Sequence, residues 1–520
     1  DLQSRMGCTF KFQEQHFSDN HFSQKKGRYM YKRFYVGLKT KRVDFTKHSS
    51  ASGGPSTATI GDMLAVMELA NIECLYLLHA FTDLKRDWFM QCAPYSLVNY
   101  NHEYRSGTYR NASGEEMSVR WAGSWFDFDF KACEVREVRA AWERVDYWLK
   151  KRSGGQIPAM STPGQSGLRL LETCLPAGFA FEAPASELCH VIKANTPQAR
   201  KEILKESIAD IADNHFSYID ARWAYAACAR IELPGELQTH YVSDARATVP
   251  FGKLPFENRF WKGWVRAVVS SPDEWQGVGL VPVKLPSGRY HWPSDMSFEE
   301  VIITAREAEE AEKLGWRIDV LEAWKFSTVR PLRHWVEKLM DMRELEPSKY
   351  YRSAIRNVML NAIGAMYSDT FTREGGVTLE QFAERAESMT RAQRLSAVKV
   401  GDQMRYVERV QKAGRLLNYY MPHWVAYIWA ECRVRLAREM MLYPKSEIIG
   451  CNLDAVYLSG ISNSEDDGKV GTFRLKGLLR ADEIGELFPD DAALDWNVLE
   501  VLKDQAEANL SQLQGAHNGK

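Results

Sequence analysis

The chain has 520 residues, 45% of them hydrophobic, enough to bury a large core and, from length alone, to form roughly two to four domains. Its 67 basic and 68 acidic side chains leave a formal net charge of −1, so the molecule is no polycation and any nucleic-acid site must be a local patch. Nine scattered Cys without a CxxC pair argue against a disulfide framework or a structural zinc site and suit a reducing cytosol, and without a run of about 18 apolar residues no membrane span is expected.

Between Asp19 and Asp44 lie eight basic residues (Lys25, Lys26, Arg28, Lys32, Arg33, Lys39, Lys41, Arg42) and no acid, interleaved with Tyr29, Tyr31, Phe34 and Tyr35. This reads either as a phosphate-tracking groove with stacking rings or as an ordinary strand pair with a solvated face. Ser49–Ser56 reads as a loop. Ile60–Leu78 carries apolar residues at helical spacing and then as a short run, so a helix followed by a core strand is expected. Ser153-Gly154-Gly155 marks a break. From 216 onward short apolar runs are split by Pro and Gly: Phe216–Ile219 ends at Asp220, and Trp264–Val269 reads as a strand. Residues 298–314 read as a helix stopped by Gly315, with a strand at Trp316–Trp324. The region 330–443 reads as mainly helical, with a Thr378/Gln381 capping box and a long segment opened by Pro422. Residues 448–458 read as an apolar strand interrupted by Asn452 and Asp454, and 481–510 as acidic and helical.

Asp220 and Asp454 stand in or at the ends of expected buried strands. A carboxylate there is costly unless it is paired or binds a cation. Two such strands side by side would give a dicarboxylate site for Mg²⁺, a hard cation that takes oxygen ligands and works with substrate phosphates. Taken singly, each Asp reads first as a turn or structural residue.

Three segments follow in order: Asp220-Ala221-Arg222-Trp223-Ala224-Tyr225-Ala226 with Leu233-Pro234-Gly235 behind it, Asn357-Val358-Met359-Leu360-Asn361-Ala362-Ile363-Gly364-Ala365, and Cys451-Asn452-Leu453-Asp454-Ala455-Val456. As an ordered set they resemble motifs A (D-x-x-S-L-Y-P), B (K-x-x-x-N-S-x-Y-G) and C (D-T-D-S) of the family B DNA polymerases, especially the protein-primed branch of phages and linear plasmids. Lys262-Gly263-Trp264 is similar to a palm strand of that family, and Gly468–Lys476 to the segment after motif C. The likeness spans about 216–476. Trp223 and Ala226 replace the Ser and Pro of motif A, Asn357 and Gly364 the Lys and Tyr of motif B, and Asn452 the first Asp of motif C.

The resemblance implies a mixed α+β right-hand polymerase with palm, fingers and reduced thumb, preceded by an RNase H-like exonuclease-type domain. The bounds it suggests are 1–200 for a degenerate exonuclease-like domain, 201–345 for the first part of the palm, 346–445 for fingers and palm helices, 446–480 for the motif C strands and 481–520 for a short thumb. It implies that Asp220 and Asp454 are catalytic and hold Mg²⁺ or Mn²⁺, and that Tyr225 lies under the sugar and excludes a 2′-hydroxyl. Asn361 matches motif B. Arg356 or Arg352 would supply the missing cation against the triphosphate, or else both solvate a helix face. Lys476 is the nearest substitute for the family's K-x-Y signature.

His79–Asp83 and Trp142–Asp146 loosely resemble the second and third exonuclease motifs, but no first motif is found, so Asp83 and Asp146 read first as surface helix residues and proofreading is not expected. The implied partners are template and primer DNA, dNTPs and a terminal protein, in the cytoplasm of a host cell and away from membranes. The competing reading is a polymerase-derived nucleic-acid-binding or scaffold protein with weakened catalysis.

Overall fold

The computed structural model describes residues 10–13, 33–38, 60–69, 74–77, 89–101, 106–121, 125–126, 135–159, 162–180, 182–211, 214–244, 247–256, 261–390, 393–394, 397–400, 402–411, 419–462, 464 and 467–518. Asp83, the Ser49–Ser56 loop and most of the basic stretch between Asp19 and Asp44 lie outside them. The chain divides into two compact units, Asp1–Cys174 with Lys338–Tyr419 and Leu175–Glu337 with Tyr420–Lys520.

The first unit opens with strands β1 (Phe10–Gln13), β2 (Arg33–Leu38), β3 (Cys74–Leu77), β4 (Ser96–Asn101), β5 (Ser106–Arg110) and β6 (Glu116–Trp121). They form one sheet in the order β1-β2-β3-β6-β5-β4, with β3 parallel to both of its neighbours. Helix α1 (Ile60–Leu69) precedes β3, as the apolar pattern at 60–78 predicts. Helix α2 (Val135–Arg152) stops where Gly154 and Gly155 take φ of 66° and 83°, a region open to glycine at no steric cost. Helix α3 (Pro163–Glu172) starts on a proline behind Thr162, whose side chain accepts from the amide of Gln165.

The second unit continues with α4 (Ser186–Asn195), β7 (Lys201–Ile203), β8 (Phe216–Ala221), α5 (Ala224–Ala229), β9 (Leu233–Val242), β10 (Val249–Pro250), β11 (Lys262–Ser270), the short pair β12 (Val283–Lys284) and β13 (Tyr290–His291), β14 (Glu299–Thr304), α6 (Ala305–Lys313) and β15 (Arg317–Val329). Strands β10, β15, β11 and β14 lie in that order, and β9 also pairs with β15. Alternate residues Val265, Ala267 and Val269 of β11 are buried with Val301, Ile303, Ile318 and Val320 of its neighbours.

The helix expected over 298–314 is half strand. Thr304 and Glu307 form a capping box that fixes the helix start, and the β-branched run Val301-Ile302-Ile303 ahead of it pairs with β11.

Helices α7 (Arg333–Glu344) and α8 (Lys349–Tyr367) follow. Within the first unit α8 crosses α3 at Gly167, where an added Cβ would stand 2.3 Å from the Val358 carbonyl oxygen. The mainly helical reading of 330–443 then fails between 370 and 411. Strands β16 (Thr370–Thr378), β17 (Val398–Val400) and β18 (Gln403–Gln411) form a sheet in the order β16-β18-β17. Thr, Val and aromatic residues favour extended chain, and Gly375-Gly376 weakens any helix there. The Thr378/Gln381 capping box is present, with amide-to-side-chain bonds of 3.2 and 3.3 Å, and heads the short helix α9 (Leu379–Arg385).

Helix α10 (Pro422–Met440) is buried along most of its length in the second unit. Its buried charges are met by α6: Arg433 donates to Glu307 at 2.9 Å, and Arg306 donates to Glu431 at 2.7 Å. The chain closes with β19 (Ile448–Asn452), β20 (Ala455–Ser459), β21 (Phe473–Leu479), α11 (Ala481–Leu487) and α12 (Trp496–Asn518). Strands β21-β8-β20-β19-β7 make an antiparallel sheet. Helix α12 packs on it so closely that a Cβ on Gly477 would stand 2.8 Å from the Cβ of Ala506. Among the described residues no helix is long and apolar enough to cross a membrane.

Candidate functional site

Strand β8 is apolar and buried through Ile219 and delivers Asp220, half-buried, near its C-terminal end. On one side its register partner is Ala455 of β20, and on the other it is Arg474 of β21. Residues directly opposite in antiparallel strands share a face, so Arg474, Asp220 and Ala455 form one row across the sheet. The single strand expected over 448–458 is a hairpin instead. Asn452 pairs with Ala455, and Leu453-Asp454 is the two-residue turn. The Ala221 amide donates to the Asp454 carbonyl at 2.9 Å, and the Leu453 amide donates to the Arg200 carbonyl at 2.9 Å. The turn is thereby tied down on both sides, and Asp220 and Asp454 are brought to the same end of one sheet.

Electrostatics links the two carboxylates. The Tyr218 phenol is pushed up first by burial, then by the charge of Asp220 and, more weakly, by that of Asp454. Tyr225 is likewise raised by burial, then by Cys432 and Asp454. Burial pushes Tyr457 up to about 12, against the opposing effect of a hydrogen bond with the Asn452 side chain. Asn452, where the motif has a carboxylate, is thus engaged with the sheet.

The backbone around both acids is strained. Four non-glycine residues among those described have positive φ, and two flank this site: Trp223 (φ 54°), three residues after Asp220, and Leu453 (φ 62°), immediately before Asp454. Such outliers cost about 1–3 kcal/mol each and cluster at functional sites. Trp223 caps α5, which carries the half-buried Tyr225. Helix α5 is held to α10 through the buried thiols of Cys228 and Cys432, 3.2 Å apart. Lys476 is the extra residue of a β-bulge, inserted between the register pairs Leu475–Ile219 and Gly477–Tyr218.

The remaining sequence candidates belong to the first unit. Arg352 donates to the Glu346 carbonyl and to Glu344, both at 3.2 Å, so it braces the start of α8. Arg356, one turn on, is exposed. Asn357, at the motif Lys position, is buried and donates to the Trp125 carbonyl at 3.2 Å, whereas Asn361 donates to the Asn357 carbonyl at 3.0 Å. Asp146 is no surface residue: it is 6% exposed, accepts from Lys150 at 2.6 Å and from the Ala159 amide at 2.8 Å, and so fastens the chain after α2 to that helix.

Sequence reasoning passed over Arg474. Its signal was present, because a strand adjoining β8 must place some residue opposite Asp220, but which one depends on register across the bulge. Among the described residues no group of three or more His, Cys, Asp or Glu side chains is placed to hold a metal ion. Two carboxylates are the oxygen donors at hand, a set that suits a cation such as Mg²⁺ only where water or substrate oxygens complete its shell.

The fold is DNA polymerase-like. The chain is similar to Phi29 DNA polymerase complexed with primer-template DNA and incoming nucleotide substrates, at a TM-score of 0.55 and 12% identity over 91% of this chain and 85% of that one. It is similar too to the same enzyme in a post-translocation binary complex with primer-template DNA and in a complex with single-stranded DNA, each at a TM-score of 0.52 and 11% identity over 91% and 84% of the two chains. No protein-family model matches the sequence, and no curated protein does.

Proposed function

We propose that this chain is a template-directed DNA polymerase of the family B, protein-primed kind, which joins nucleotides from dNTPs to a primer 3′-hydroxyl or to the hydroxyl of a priming protein. The observation that supports the reading is the backbone junction of β8 with the β19–β20 turn, which brings Asp220 and Asp454 to the same end of one sheet in a fold like that of Phi29 DNA polymerase. In this reading the sheet β21-β8-β20-β19-β7 is the palm, and the substrates are of the kind that neighbour is complexed with, primer-template DNA and incoming nucleotides.

Asp220 and Asp454 would hold the divalent cation, Mg²⁺ or Mn²⁺. Bound there, it would lower the pKa of the attacking hydroxyl and offset charge on the leaving pyrophosphate. The chain's own part is positional. The hairpin turn and β8 fix the backbone that carries the two carboxylates before substrate arrives, which would limit reorganisation at the moment of reaction. The Tyr225 ring, half-buried on α5, is a bulky wall for the sugar.

A second reading, a nucleic-acid-binding scaffold with weakened catalysis, is favoured by Asn452 and Arg474. Asn452 leaves one negative charge fewer beside the turn, and Arg474 stands opposite Asp220 in the strand register, where its positive charge would compete with a metal. Primer extension separates the two readings. An oligonucleotide primer and a priming protein are compared side by side with Mg²⁺ and Mn²⁺. Incorporation that disappears in Asp220→Asn supports the polymerase, and no incorporation by the unaltered chain under any of these conditions leaves the scaffold.

A further inference from the structure

The second unit contains a cleft of about 390 Å³ lined by four cationic side chains, Arg230, Lys262, Arg306 and Arg330, against two acids, Glu232 and Glu431. Its residues come from separate elements: Arg230 caps the end of α5, Lys262 begins β11, Arg306 lies in the first turn of α6, Arg330 follows β15, and Glu431 is on α10. Both acids are already engaged. Glu431 accepts from Arg306 at 2.7 Å and from Arg435 at 3.0 Å, and Glu232 accepts from Arg330 at 2.6 Å.

Two cations are left under-compensated. The Lys262 side chain is only 13% exposed, yet its ion pair with Glu232 measures 3.9 Å, and Arg230 is likewise 3.9 Å from Glu337. Both distances exceed hydrogen-bonding reach. With its stem largely buried, an ammonium with three donors is costly to leave without acceptors. The Tyr427 ring, 5.8 Å from the Lys262 nitrogen, offers only a weak cation–π contact. Burial accordingly pushes the Lys262 pKa down, with Glu232 only partly opposing it.

We infer that this cleft is a phosphate-binding site, with Lys262 and Arg230 as its anion contacts. Two spare positive charges call for about two negative ones, which a pyrophosphate or two successive backbone phosphates carry and a single carboxylate does not. The cleft is larger than one phosphate group and leaves room for what is attached to it. The inference does not depend on Asp220 or Asp454.

The test is isothermal titration of the full chain, without divalent metal, with sodium pyrophosphate and separately with a single-stranded oligothymidylate. At least one probe binds the unaltered chain. Lys262→Met, which keeps the buried stem, weakens that binding about tenfold or more, Arg230→Gln weakens it several-fold, and Lys262→Arg restores most of it. Lys253→Met removes a charge from an exposed position of the same unit and leaves binding within about twofold. Response to pyrophosphate alone names a free phosphate ligand, and response to the oligonucleotide alone names a nucleic-acid backbone. If neither probe binds, or if Arg230→Gln and a folded Lys262→Met bind both as the unaltered chain does, the site is refuted while the reading of Asp220 and Asp454 is untouched.

Discussion

The amide of Ala221 donates to the carbonyl of Asp454 at 2.9 Å, so the end of one strand and the turn of a distant hairpin are hydrogen-bonded to each other. The backbone of Asp454 is thereby held by the residue that follows Asp220 on β8, and Asp220 itself pairs with Ala455, the residue that follows Asp454. This removes the conformational search that two independent loops would need before a shared cation could be bound.

If the two acids carry the proposed polymerase chemistry, replacing either should abolish it without abolishing binding. Asp454→Asn is expected to reduce Mg²⁺-dependent dNTP incorporation by about a thousandfold or more, equivalent to ~4 kcal/mol of transition-state stabilisation. Affinity for primer-template DNA should persist, since removing a negative charge does not weaken contacts with phosphates. Single-turnover extension and a gel-shift titration on the same preparation check both halves.

Tyr225 sits on a short helix that starts at the strained Trp223 and is braced against α10. If its ring excludes the 2′-hydroxyl, Tyr225→Ala should raise ribonucleotide incorporation relative to deoxyribonucleotide by roughly ten- to a hundredfold, the range for one steric contact in a pocket. Competition between rNTP and dNTP in primer extension measures the ratio. An unchanged ratio would remove Tyr225 from that role.

Arg433 and Glu307 are among the most buried charges of the second unit, with side chains 3% and 2% exposed and guanidinium contacts of 2.8 and 2.9 Å. Arg433→Met or Glu307→Gln alone should destabilise the fold by about 3–5 kcal/mol, because the partner is left charged and dry. Substituting both by apolar residues of similar volume should recover most of the loss. Urea unfolding midpoints of the two single variants and the double variant give the comparison.

His423 is fully buried on α10, stacked on Phe326, and neither ring nitrogen has a hydrogen-bond partner. Burial lowers its pKa from the ordinary 6.5 to about 3. The folded chain therefore keeps the ring neutral where the unfolded chain protonates it. The stability it contributes is complete above pH 6.5 and is lost progressively as pH falls toward 3, by up to ~1.4 kcal/mol per pH unit. His423→Phe should flatten the stability profile between pH 6.5 and 4, as followed by Tm against pH.

Much of the local structure was legible in the sequence because its causes are local. Pro422 begins a helix, Thr378 with Gln381 caps one, glycines 154 and 155 end one, and the runs at 216–219 and 264–269 are strands. Where the sequence reading erred, a local signal was overlooked or a pairing was needed. The Thr304/Glu307 capping box was available and marks where strand becomes helix. The sheet made by 370–378, 398–400 and 403–411 had no such marker, because each strand is stabilised by the others rather than by its own near neighbours.

The candidate site divides along the same line. By itself the sequence determined that Asp220 ends an apolar strand and that Asp454 lies beside another apolar run, since burial pattern and residue type are properties of short segments. Only the tertiary structure decided that 448–459 folds back on itself, that the resulting turn bonds to β8, and that Arg474 stands opposite Asp220 while Asp146 and Asn357 are spent on packing. Strand register between distant segments is set by the simultaneous burial of whole faces, so a bulge of one residue at Lys476 changes which side chain meets the carboxylate.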